Sequence, residues 1–235
     1  MTNTYIKSFD SQSKMSDLIS EHYDLLLVIT RFGIPMGVGD KTIADVCEEN
    51  NVDTTTLMTV LNAVANIPHY PTKEELKGVS VESLMVYLRN AHTYFLKFRL
   101  PFIREQLLLA MEDDCPTEVA FVIKKFFDDY VAEVNKHMNY EEKVVFPYAE
   151  DLIAHNKLSD KYSIAVFRKR HDQVEAKITE LKNILIKYYP AKGGYELTAV
   201  LHDIFESEAD LAQHNFVEDH IFIPLMEDIE KSATK

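Results

Sequence analysis

His137-Met-Asn-Tyr-Glu141-Glu-Lys-Val-Val-Phe-Pro147 and His214-Asn-Phe-Val-Glu218-Asp-His-Ile-Phe-Ile-Pro224 are two copies of one pattern. Each reads His, then Glu four residues on, a second acid, apolar residues, and Pro ten residues after the His. Four residues make about one helical turn, so His and Glu project from the same face of a helix. Each copy is preceded by a further His: His92 lies 45 residues before His137, and His171 lies 43 before His214. The chain therefore carries one two-helix unit twice, each time offering two imidazoles and one carboxylate.

Outward from these segments the apolar pattern is helical nearly everywhere. Four long periodic stretches run over about 81–113, 117–154, 161–188 and 196–230, separated by Asp113–Pro116, His155–Ser159 and Pro190–Gly194. Connections this short force neighbouring helices antiparallel, which predicts an all-α, up-down four-helix bundle. Pro116 suits a first helical turn, whereas Pro101 lies inside the first stretch and is expected to kink it. The inward stripe of the first helix runs Leu84, Leu88, His92, Phe95. That of the third runs Ile164, Phe167, His171, Val174, Ile178, Leu181, Leu185. The fourth runs Leu197, Val200, Ile204, Ser207, Leu211, His214, Glu218, Ile221, Leu225. Residues 1–66 form a small helical domain of their own, broken at Gly33–Gly39 and restarting near Thr42 and Thr54, with Asp53 or Thr54 as cap. Residues 67–79, with Pro68, Pro71 and Gly78, read as a linker to the bundle at 80–235.

Imidazole and carboxylate stand in these stripes where Leu would pack better. A buried carboxylate without a partner costs several kcal/mol. A metal pair resolves the conflict. Its ligands would be His92, His137, Glu141, His171, His214 and Glu218, with both Glu bridging. Mixed nitrogen and oxygen ligation suits two iron ions, and the same donors admit manganese or zinc. With an oxo or hydroxo bridge each metal keeps about one position for O2, NO or another small ligand. Glu133 and Asp210, each one turn before a ligand His, are candidates for supporting acids or for solvated carboxylates. His22, His69, His155, His202 and His220 share no such symmetry and are not expected to bind metal.

Composition closes off other classes. The 235 residues hold 25 basic and 38 acidic side chains, a net charge of −13, which disfavours nucleic acid and anionic membranes as partners. Residues 1–79 alone carry 6 basic against 11 acidic residues, so DNA reading is not expected of them. No apolar run reaches the roughly 18 residues that span a bilayer. Cys47 and Cys115 have no motif spacing, and a reduced, cytoplasmic protein is expected. Gly39-Asp-Lys-Thr42 is no phosphate loop, since Asp40 separates Gly from Lys and no strand precedes it. A ferritin-like oxidase would show Glu-x2-His pairs, and none of the nine His has an acid three residues before it.

The order His92, His137-x3-Glu141, His171, His214-x3-Glu218 resembles the hemerythrin-like (HHE) proteins and is most similar to the repair-of-iron-centres family. Across about residues 80–230 that resemblance implies a four-helix bundle around a non-haem di-iron site. The activity it implies is restoring iron-sulfur clusters damaged by oxidative or nitrosative stress. Iron-sulfur proteins would then be partners, with O2 or NO as small ligands, and the helical N-terminal unit admits a homodimer. A sensor of O2, NO or iron that signals through residues 1–66 is the alternative. Oxygen-carrying hemerythrins place a fifth His four residues after the third-helix ligand, where this chain has Glu175. The N-terminal unit resembles the short domain of the repair proteins, whose vicinal Cys pair follows a Phe-Gly-Ile turn. Here the turn is Phe32–Gly39 and the Cys positions hold Gly37 and Val38, so thiol chemistry does not carry over; a docking or dimerisation role remains.

Overall fold

The structure is a computed structural model that describes residues 8–67, 70–111, 117–159, 161–169, 175–189 and 195–233. No strand occurs among the described residues, where β pairing is confined to isolated bridges such as Lys14 with Thr42. The N-terminal helices are α1 (Met15–Glu21), α2 (Leu26–Arg31), α3 (Ile43–Glu49) and α4 (Thr54–Ala65). The longer ones that follow are α5 (Val81–Tyr94), α6 (Leu100–Met111), α7 (Thr117–Tyr140) and α8 (Phe146–His155). After these come α9 (Ile164–Arg168), α10 (Glu175–Tyr188), α11 (Tyr195–Val217) and α12 (Ile223–Ser232). None of the helices in the described residues is long and apolar enough to cross a membrane.

The chain forms two compact units. The first comprises Met1–Ala91, Ala149–Ile164 and His214–Lys235. Its helices α3 and α4 start where short oxygen-bearing side chains cap them. Thr42 Oγ1 accepts from Asp45 N at 3.1 Å while Thr42 N donates to Asp45 Oδ2 at 3.2 Å, a reciprocal box that opens α3. Asp53, not Thr54, caps α4, accepting from Thr56 N at 2.7 Å. The stripe Leu57, Val60, Leu61 and Val64 of α4 is buried with Val28, Ile29, Ile43 and Val46 from α2 and α3. Each such side chain contributes about 1.5–3 kcal/mol on burial, enough in sum to hold short helices that would not form alone. Asn90 Nδ2 donates to the Arg31 carbonyl at 2.7 Å, and the Phe32 and Tyr87 rings lie 5.1 Å apart, which fastens α2 to α5.

The second unit comprises His92–Tyr148 and Ala165–Gln213. Here α6 packs on α7 and α7 on α10. Arg104 Nε donates to Asp128 Oδ1 at 2.7 Å between α6 and α7. Lys182 pairs with Glu208 between α10 and α11, and Arg99 Nη1 reaches Asp203 Oδ1 at 2.9 Å to close the ring of four helices. His92 meets Glu141 whereas Arg104, farther along, meets Asp128, so the first two helices run antiparallel, as their short connection requires. The fold is thus all-α with a helical bundle. The connections at 113–116 and 190–194 and seam residues His171 and Val174 lie outside the described residues.

Three long helices each contain a five-residue π turn: Phe95–Arg99, Glu141–Val145 and Glu218–Phe222. Each is followed two residues later by proline: Pro101, Pro147 and Pro224. A proline inside an α-helix lacks a donor and clashes with the carbonyl four residues back. The wider π turn takes up that misfit, so the helix continues through Pro101 instead of stopping. The extra residue also rotates the helix. After Ile221 the inward stripe continues at Met226, which is wholly buried, and Leu225 is only half-buried, a correction to the seam expected from a regular 3.6-residue period.

Candidate metal centre

In the second unit the last turn of α5 carries His92, α7 carries His137, and Glu141 opens the π turn that follows. His92 Nε2 stands 2.8 Å from Glu141 Oε2, and His137 Nε2 stands 2.8 Å from Glu141 Oε1. Glu141 is fully buried, yet neither of its oxygens receives an aligned hydrogen bond from any described residue. Proximity without alignment is the geometry of donor atoms aimed at a common point beside them.

The tautomer of His92 sharpens this. His92 Nδ1 lies 2.8 Å from Glu142 Oε1, and an ionised carboxylate can only accept, so Nδ1 holds the proton. Nε2 then presents a lone pair toward the anionic Glu141, an arrangement that repels unless a cation or proton lies between them. The His92 ring stacks on Phe146 at 5.6 Å with planes 12° apart, and His137 lies 6.4 Å from Phe167. These aromatic neighbours lower the local dielectric and raise the cost of leaving the carboxylate uncompensated.

In the first unit the last turn of α11 carries His214, and Glu218 opens the π turn that follows, with His214 Nε2 and Glu218 Oε1 3.4 Å apart and both side chains wholly buried. His92 and Glu141 in the second unit and His214 and Glu218 in the first are all buried, and each offers a donor atom that could hold a metal ion. His137 stands beside Glu141, and His171 lies outside the described residues. Neutral imidazoles with two carboxylates, sealed from water, fit a metal cation: oxygen supplies charge and nitrogen supplies borderline-soft donation. Two of the π turns begin at the carboxylates, and the third begins three residues after His92.

The remaining candidates separate clearly. His155 is 67% exposed beside Asp151 and His202 is 75% exposed beside Glu206. His22 packs edge-on against Phe9, His220 lies between Tyr70 and Phe216, and His69 lies outside the described residues. Glu133 is 43% exposed, 3.9 Å from Lys136, whereas Asp210 is buried. Cys47 is buried, and burial raises its thiol pKa above the ordinary value. Gly37, where the repair proteins are expected to carry a Cys, has φ +96°, a backbone that L side chains rarely adopt. Two features escaped the sequence reading. Glu142 was visible only as the second acid of its motif, without a role, and the π turns were signalled only by the internal prolines.

The hemerythrin HHE cation-binding domain matches residues 84–226, more than half of the chain. No curated protein matches the chain. The matched span contains every residue of the buried imidazole and carboxylate cluster. A cation-binding fold and a cluster built to compensate a cation coincide, and the chain belongs to the hemerythrin HHE cation-binding family.

Proposed function

We propose that the protein holds two iron ions on His92, His137, Glu141, His171, His214 and Glu218 and acts in oxidative and nitrosative stress defence. It would exchange O2 or NO and give up iron for rebuilding iron-sulfur clusters, in the cytoplasm. The observation that carries this reading is the buried Glu141 carboxylate, faced by two imidazole nitrogens at 2.8 Å with no aligned hydrogen bond to either oxygen from the described residues. Bound iron would supply reversible one-electron chemistry and open positions for small ligands. The chain's own residues do the rest. Glu141 and Glu218 offset the positive charge, and Glu142 fixes the His92 tautomer. Phe146 and Phe167 flank the imidazoles and exclude water. The missing Cys pair removes a thiol route for iron, so transfer would start from this centre alone.

The test is an anaerobic incubation of iron-loaded protein with a hydratase whose [4Fe–4S] cluster has been damaged by peroxide or NO. Recovery of hydratase activity in step with iron lost from the protein supports the reading. Full iron retention with no recovery contradicts it.

A specific packing favours a second reading, a sensor that signals through the N-terminal helices. Tyr70 of the linker lies 6.0 Å from the Phe216 ring and 4.4 Å from His220, inside the segment that carries Glu218. Asn90, two residues before His92, bonds the Arg31 carbonyl of α2. Ligand-dependent protease cleavage within residues 8–79 would favour the sensor; cleavage indifferent to NO and O2 would exclude it.

A further inference from the structure

We infer that the protein pairs with a second copy of itself through the outer face of α5, its π turn and α6, the two copies lying antiparallel about Pro101. The buried side of this helix carries Phe95, Leu100, Ile103 and Leu107. Its opposite side carries a second, outward row of aromatic rings: Tyr94, Phe98 and Phe102, four residues apart. Their ring centroids are 5.7 and 6.4 Å apart, and Phe98 is 62% and Phe102 40% exposed. Aromatic side chains stacked in a row in water are the mark of an interaction surface, since scattered apolar residues need no such order.

The charges beside that row specify the occupant. Lys97 and Glu105 lie on the same outward face, both exposed, and neither makes an ion pair with any described residue. They sit four residues before and four residues after Pro101. In an antiparallel pair centred on Pro101, Lys97 of each copy faces Glu105 of the other, and the contact occurs twice. The same register sets Phe98 of one copy two residues, about 3 Å along the axis, from the level of Phe102 in the other. A parallel pair would set Lys97 against Lys97 and Glu105 against Glu105, so the charges select the antiparallel arrangement. A surface that is neutral in sum and complementary to itself fits a second copy of this chain better than a strongly charged partner. One helix pair is a small interface, at the lower end of the size range for specific association, so the dimer forms in a concentration-dependent way.

Sedimentation velocity on the full chain, from low micromolar to several hundred micromolar, tests this. The wild type should shift from monomer toward dimer, and Phe98→Glu should remain monomeric throughout. Lys97→Glu and Glu105→Lys should each weaken self-association by about tenfold, and the double variant K97E/E105K should recover it. Recovery is the outcome that a general loss of folding or of hydrophobicity cannot produce. A wild type that stays monomeric at every concentration overturns the proposal, as does a double variant no better than either single one. Unchanged dimerisation of Phe98→Glu would do the same by moving the interface elsewhere.

Discussion

The two His-x3-Glu segments are nearly the same in sequence and differ in structure. His137 stands 2.8 Å from Glu141 and is 11% exposed, whereas His214 stands 3.4 Å from Glu218 with both side chains fully buried. Glu141 is flanked by a second imidazole, His92, which is itself held by the partly exposed Glu142. The first segment thus sets its carboxylate close to two imidazoles and the second holds its carboxylate farther from one, with both carboxylates fully buried. An equal ligand pattern does not produce equal environments, because burial and the second imidazole come from neighbours outside the pattern. On our account exchange with solution begins at the Glu141 half, and the Glu218 half retains its cation longer.

The largest expected effect comes from removing the two carboxylates in turn. Glu141→Ala should leave the iron-loaded protein with less than about a tenth of the wild-type iron, because two imidazoles lose their shared counter-charge at once. Each lost charge-assisted contact is worth about 1.5–3 kcal/mol. Glu218→Ala should also lose iron, but less completely. Metal analysis after gel filtration reads both, and equal losses would break the asymmetry drawn above.

A smaller effect is expected at Glu142. Glu142→Gln keeps the size of the side chain but lets Nδ1 of His92 meet a neutral group, and iron affinity should fall about 10–100-fold. A competition titration with a chelator measures this. An affinity within twofold of wild type would show that Glu142 does not set the tautomer. The smallest effect, none within error, is expected for His202→Ala, because His202 is 75% exposed and faces Glu206 rather than the cluster. Lost iron in that variant would show that the centre reaches a face of α11 outside our assignment.

Much of this could be read from the residues. The stripe Leu84, Leu88, His92, Phe95 is buried throughout, because an apolar period encodes which side of a helix faces the core. The same period failed beyond Ile221, where a π turn adds a residue and turns Met226 inward in place of Leu225. Periodicity counts residues at a fixed angle and cannot register a local change of that angle. Proline is the clue, and by itself it signals only a kink. Glu142 was missed for a different reason. Its role depends on the position of Nδ1 of His92, fifty residues away in sequence, which spacing along one helix does not reveal.

The central claim is that buried imidazoles and carboxylates converge on one dinuclear centre. Its most direct test is anaerobic loading of the metal-free protein with Fe(II), removal of excess, and determination of iron and protein in the same sample. The account predicts two iron ions per chain. A ratio that saturates at one or below would contradict it.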